Sequence, residues 1–189
     1  MEQFFTDQSF DQKDFTKGHL NKAEYDHCTF SHCDLTGADC SDIIFIDCTF
    51  LDCNLSLMNL NNTTFREVLF QDCKMLGLHF EQCNKFGMAF SFINSTLDHS
   101  SFYQAKLKKI NFKQSKLQEV DFTECDLTSA VFDQCNLSNA KFDHTILEKA
   151  DLRGSYNYSI DPQNNSIKKA KFSLNAVAGL LDKYDLDIE

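Results

Sequence analysis

The chain has no tryptophan, one proline and six glycines in 189 residues. So small a supply of turn formers excludes a fold built on many tight hairpins, whose corners call for Gly and Asn. No apolar run approaches the ~18 residues of a membrane span, and Met1 to Phe10 mixes acids and amides among its phenylalanines, so neither a signal peptide nor a transmembrane segment is expected. There is no Gly-rich phosphate loop. Basic residues are also short: 18 Lys and Arg against 28 Asp and Glu leave a net charge of −10, and an acidic surface is a poor match for nucleic acid, whose phosphates need a basic face. The acids crowd the first third, where residues 1–60 hold eleven of them against Lys13, Lys17 and Lys22. Such charge suits a basic partner or plain solubility.

What the chain has in excess is phenylalanine, nineteen residues, and cysteine, nine, within an ordinary folded composition of 42% hydrophobic and 24% charged residues. The excess is periodic. From Phe5 a large apolar residue returns every fifth position, through Phe10, Phe15, Leu20, Tyr25 and Phe30, to Phe80; the series fails at Lys85, returns at Phe90, slips by two, and runs from Leu97 to Leu152. A period of five belongs to neither a helix nor a strand. Two residues before each large one stands a small one, such as Ala23, Cys28, Cys33, Ala105, Cys125 and Ala150, and the other three positions of each pentad are polar. A longer period of twenty lies over this one, because Phe10, Phe30, Phe50, Phe70 and Phe90 form a series that Phe112 and Phe132 continue beyond the slip. Like side chains are therefore expected to stack in internal ladders.

Ala150-Asp151-Leu152-Arg153-Gly154 and Cys125-Asp126-Leu127-Thr128-Ser129 resemble the pentapeptide repeat family, whose pattern is a small residue, Asp or Asn, Leu or Phe, then two polar residues. The resemblance covers nearly the whole chain. It implies an all-β fold, a right-handed quadrilateral parallel β-helix with four pentads per coil, over residues 1–172. Residues 81–95 would hold a bulge, loop or kink. Beyond them, residues 173–189 read as a short C-terminal α-helix, N-capped by Ser173, that closes the rod and presents Leu174, Val177, Leu181 and Tyr184 on one face. At the other end Phe4 and Phe5 are expected to close the first coil.

Chemistry finds little footing in this frame. Eight cysteines fall on the small inward position and Cys40 on the large one, so parallel packing predicts buried free thiols in a reducing compartment, the cytoplasm, and no zinc site. The histidines, His19, His27, His32, His79, His99 and His144, all fall on outward positions without a nucleophile beside them. Paired acids such as Asp39 and Asp42 lack a wall to raise a pKa. No catalytic residue, metal or cofactor is expected, and the basic run Lys106, Lys108, Lys109, Lys113 and Lys116 reads as a solvated patch.

Within the family, the chain is similar to the Qnr and MfpA type: acidic dimeric rods that resemble B-DNA and bind DNA gyrase or topoisomerase IV, protecting the enzyme from quinolones. That resemblance implies a type II topoisomerase as partner and a homodimer through the C-terminal module. The acids placed to serve the partner are Asp39, Asp42, Glu81, Asp121, Glu124 and Asp143, on the side of the column Leu20, Cys40, Leu60, Phe80 and Phe102, with Asp11, Asp52, Asp72, Asp133 and Asp151 expected on the adjoining side. The alternative is an interaction scaffold with no topoisomerase role.

Overall fold

A computed structural model describes residues 3–17 and 20–187; the outward placement of His19 falls outside them. All named strands run parallel, and successive partners are twenty residues apart, as in Phe10↔Phe30 and Phe30↔Phe50. Two sheets result. One joins Gln3–Thr6, Ala23–Asp26, Ile44–Ile46 and Thr64–Arg66; the other is seven-stranded, from Ser9–Asp11 to Val131–Asp133. Isolated parallel bridges such as Asp34↔Asn54 and Asp121↔Lys141 complete the remaining sides. The chain is a parallel β-solenoid with four walls, one pentad to a wall.

The four inward columns start at Phe5, Phe10, Phe15 and Leu20 and define the first to fourth walls. Rings stack within the second wall, Phe30 on Phe50 at 4.7 Å and Phe112 on Phe132 at 5.0 Å, and nearly every large inward residue between Leu20 and Leu152 is buried. Buried apolar area accumulates with each coil at roughly 25 cal/mol per Å2, and each coil covers its neighbours.

The slip in the repeat proves to be a two-residue loop in the first wall. Asn84 still bonds Thr63 twenty-one residues back, whereas Phe92 pairs with Phe70 and Ser101 with His79, each at a spacing of twenty-two. The extra residues lie within Lys85-Phe86-Gly87-Met88, where Gly87 turns the chain at φ +67° and Phe86 is 77% exposed. Phe90 therefore does not continue the Phe70 column, as the spacing of twenty suggested; Phe92 does. Phe90 takes a small-residue position instead, and its ring reaches Phe80 at 5.3 Å and Phe65 at 6.1 Å. It fills the place that Lys85 leaves without an apolar residue. Around this ring the aromatic ladders change walls: below it Phe5, Tyr25, Phe45 and Phe65 line the first wall, and above it Phe80, Phe102, Phe122 and Phe142 line the fourth, while leucines take the vacated columns.

Scarce glycine is explained at the corners. Most pentads end on a left-handed residue, and Asp, Asn, Gln, His, Lys and even Leu57 (φ +59°) serve there. Each such residue costs roughly 1–2 kcal/mol, offset by a backbone bond to the next coil, such as Asp47 N–H to the Arg66 carbonyl at 2.9 Å.

The C-terminal module corrects the expected α-helix. It is two 3-10 helices, Leu174–Leu180 and Asp182–Tyr184, and Ser173 makes no side-chain cap. The reason is docking: Gly179 lies so close to Tyr158 that a Cβ would land on the Tyr158 carbonyl oxygen, and its own carbonyl accepts from Ile160 N–H at 2.9 Å. Ala176 and Leu180 pack on the core, and Lys183 holds Asp161 at 2.7 Å. At the first coil Phe5 stacks on Tyr25 at 4.9 Å, but Phe4 points outward, 61% exposed, and closes nothing.

Candidate functional site

Where an Asp or Asn precedes a large inward residue it commonly has a local duty. Its side-chain oxygen accepts the backbone N–H two residues on, as Asp14 does from Thr16, Asp34 from Thr36 and Asp126 from Thr128. This is an Asx turn, which a short carbonyl-bearing side chain makes and a longer one does not. Two of the candidate partner-binding acids are of this kind. Asp39 accepts from Ser41 N–H at 3.1 Å, and Asp121 from Thr123 N–H at 2.9 Å. The Ser41 bonds hold the Asp39 carboxyl below the usual carboxylate range.

All six candidates stand on the fourth wall. Five of them form two groups, Asp39 with Asp42 and Asp121 with Glu124 and Asp143, and Glu81 stands alone in the more neutral stretch between. Asp39 and Asp42 share Lys22, at 3.6 and 3.7 Å, and each accepts a side-chain amide from the next coil, Asn59 and Asn62 at 2.9 Å. Above them the outward positions are Asn59, then His79 bridged to Ser101, before Asp121 and Lys141. Glu81 sits in the 3-10 turn Phe80–Gln82; one oxygen is 2.8 Å from His79 Nδ1, and the other is buried without a partner. Glu124 accepts from Gln104 Nε2 at 2.8 Å and from the Tyr103 hydroxyl at 3.3 Å, and its charge raises the Tyr103 pKa. Asp143 lies 3.1 Å from His144. The second acid set is misplaced by the expectation above: Asp11, Asp52, Asp72, Asp133 and Asp151 belong to the second wall, across the square from the fourth, because the chain passes the third wall between them.

All nine cysteines are free and buried. Six of the thiols, Cys28, Cys33, Cys48, Cys53, Cys73 and Cys135, act as hydroxyls would. Cys48 Sγ donates to the Tyr25 carbonyl and Cys53 Sγ to Phe30, both at 3.3 Å, as the Thr63 hydroxyl donates to Cys40 and Ser155 to Phe132. Burial pushes the Cys40, Cys48 and Cys135 thiols up to about 12, so they stay protonated and inert at neutral pH.

Each described histidine lies within 3.2 Å of a carboxylate, His27 of Asp26, His32 of Asp11, His79 of Glu81, His99 of Glu119 and His144 of Asp143. Asp26, His27 and Asp47 also bring one ligand-type atom each to within 4.8 Å of one another on an exposed corner. Sequence reasoning missed the pairs His32 with Asp11, His99 with Glu119 and His27 with Asp47 because partners about twenty residues apart become neighbours only when the coils stack. Among the described residues no helix is long and apolar enough to cross a membrane.

The candidate dimer residues stay largely free of the rod: Leu174 is 88% exposed, Tyr184 48% and Val177 38%, with Leu181 half-buried.

The geometry has counterparts among known proteins. A trypsin-treated variant of QnrB1, a plasmid-mediated fluoroquinolone resistance protein, matches 100% of this chain and 98% of its own at a TM-score of 0.63 and 15% identity. Full-length QnrB1 matches at 0.58 and 15% identity, over 97% of this chain and 100% of its own. At such identity the likeness is one of fold. No curated protein matches the sequence. The description of a pentapeptide repeat region, however, matches residues 23–102 and 88–172, the stretch that carries the ladders, the Asx turns and the left-handed corners, and the chain belongs to the pentapeptide repeat family.

Proposed function

We propose that this chain is a binding protein with no reaction of its own, and that its partner is a type II topoisomerase, DNA gyrase or topoisomerase IV, which it engages as a stand-in for duplex DNA. The observation that carries the reading is the end-to-end likeness of fold to QnrB1, a fluoroquinolone resistance protein, joined to a net charge of −10. The acids of the fourth wall, Asp39, Asp42, Glu81, Asp121, Glu124 and Asp143, are the surface offered to the enzyme. A rigid row of charge accelerates encounter with a basic saddle and loses effect as salt rises. The exposed Leu174, Val177 and Tyr184, with Leu181, join two copies at the C-terminal end. Nine free thiols suit the cytoplasm.

One observation favours the scaffold reading: Lys22, Asn59, His79, Ser101 and Lys141 interrupt the acids. A gyrase supercoiling assay with and without ciprofloxacin separates the two. The topoisomerase reading expects the protein to compete with DNA and to restore supercoiling in the presence of the drug. Asp39→Asn, Asp42→Asn, Asp121→Asn and Glu124→Gln together keep the Asx turns while removing four charges, and should weaken competition. If the wild type never competes, or the neutralised variant competes equally, the scaffold stands.

A further inference from the structure

The outward surface of the first wall reverses its charge at the Phe86 loop. Below the loop its corner column is Asp7, His27, Asp47 and Glu67; above it, Lys109, Ser129, Lys149 and Lys169, nearly all left-handed corners tied coil to coil by backbone bonds. The rest of the wall follows suit. Glu24 and Asp26 join the lower acids against Arg66 alone, while Lys106, Lys108 and Lys168 join the upper lysines against Asp126 and Glu148. The whole chain shares the polarity: residues 1–84 hold 14 acids and 5 bases, residues 85–189 hold 14 and 13.

We propose that two copies of this chain pack first wall against first wall, antiparallel, about a two-fold axis through the loop at Phe86 and Gly87. A two-fold that lies in the contact plane and crosses the rod reverses the column against itself. Asp7 then faces Lys169 of the other copy, Glu67 faces Lys109, Asp47 faces Ser129, and His27 faces Lys149. Parallel packing would set acid on acid and lysine on lysine, so the charge selects the antiparallel arrangement. Two facing pairs are of like sign, Arg66 with Lys108 and Asp26 with Glu148. Most of these already have a partner at home: Arg66 lies over its own Phe86 ring at 5.9 Å, Lys108 is 3.3 Å from Asp126, and Asp26 is 2.8 Å from His27.

The axis passes the most exposed described aromatic side chain, Phe86. Under that two-fold the Phe86 rings of the two copies meet at the axis, beside a cleft of about 340 Å3 lined by Val68, Met88, Phe90 and Ile110 together with Glu67, Lys108 and Lys109. A central aromatic anchor with charges around it is how compact interfaces concentrate their affinity. One narrow wall makes a weak contact that salt weakens further. This interface is separate from the one at the C-terminal module and does not depend on the topoisomerase reading.

The test joins positions that only the antiparallel dimer brings together. Asp47→Cys and Ser129→Cys are made as separate full-length proteins, mixed and treated with a short bis-maleimide; the native thiols are buried. At low salt the mixture should give a 47–129 link that high salt suppresses. Lys109→Glu with Lys169→Glu in the Ser129→Cys chain should reduce linkage at least ~10-fold, and Glu67→Lys with Asp7→Lys in the other chain should restore it. Phe86→Ala should also reduce it. No 47–129 link at low salt, a 47–47 link of equal strength, or failure of the reciprocal reversal to rescue would each overturn the proposal, whatever the C-terminal ends do.

Discussion

The ring of Phe92 stacks on that of Phe70, centroids 5.4 Å apart and planes 15° from parallel. Phe90, the residue that the period of twenty assigns to that column, meets Phe70 only edge-on at 6.5 Å. The second-wall ladder therefore passes the insertion without a break. Phe92→Ala, like Phe50→Ala lower in the same column, should destabilise the rod by ~3–5 kcal/mol in urea unfolding, the usual loss on deleting a buried ring. Phe86→Ala should leave the midpoint nearly unmoved. Equal losses at positions 86 and 92 would show that the register assigned to this coil is wrong.

Thiols should behave as structural donors. Under native conditions at pH 8 none of the nine should react quickly with a thiol reagent, and all should do so in denaturant, because all nine are buried out of the reagent's reach. Cys48→Ser keeps a donor for the Tyr25 carbonyl and should be tolerated. Cys48→Val removes it and should cost about 1–3 kcal/mol, the penalty of stranding a buried carbonyl. Equal stability of the two variants would refute the hydrogen-bonding role.

Gly179 should tolerate no side chain. Gly179→Ala places a methyl on the Tyr158 carbonyl, so the 3-10 module must lift from the end. Faster amide exchange at Ile160 and loss of the proposed C-terminal dimer in sedimentation are the expected readouts; unchanged exchange at Ile160 would mean that the module is not held by this contact.

Asp151 should titrate near 2. Arg153 grips it with two bonds, at 2.9 and 2.7 Å, with Lys171 at 3.6 Å, and together they hold its carboxyl down to about 2. Its folded value lies below the ~3.9 of an unfolded chain. The small stabilisation it gives is therefore complete above about pH 4 and is lost as pH falls toward 2. Arg153→Ala should raise the Asp151 carboxyl value seen by NMR toward the ordinary range and flatten this part of the acid-stability profile. A titration unmoved by the substitution would assign the depression to another group.

Much of this was legible in the sequence because the repeat is a direct readout of direction: every fifth residue points inward, and Cys28, Cys48, Phe30 and Phe50 declare their columns by spacing alone. The Phe86 loop could be located but not resolved, since Lys85, Phe90 and Phe92 permit two registers and only packing chooses Phe92. The 3-10 geometry was hidden because a contact at Gly179 decides it, whereas the pattern of Leu174, Val177 and Leu181 is equally that of an α-helix. At the candidate surface the acids were visible as charges. Their employment was not: nothing local in the sequence says that Asp39 and Asp121 are turn residues, or that Lys22 sits between Asp39 and Asp42.

The small inward position accepts Cys48, Thr63, Ser95, Thr145, Ser155 or Asn165 on one condition, that a short side chain can donate to a carbonyl of the preceding coil. Interior and exterior are thus written in separate alphabets. Substitutions inside can accumulate without displacing any outward residue, and outward residues that hold neither an Asx turn nor a left-handed corner can be rewritten without disturbing the stack. Two such rods can then share nearly every backbone position while having little sequence in common, and a new binding face can arise on an old rod one pentad at a time.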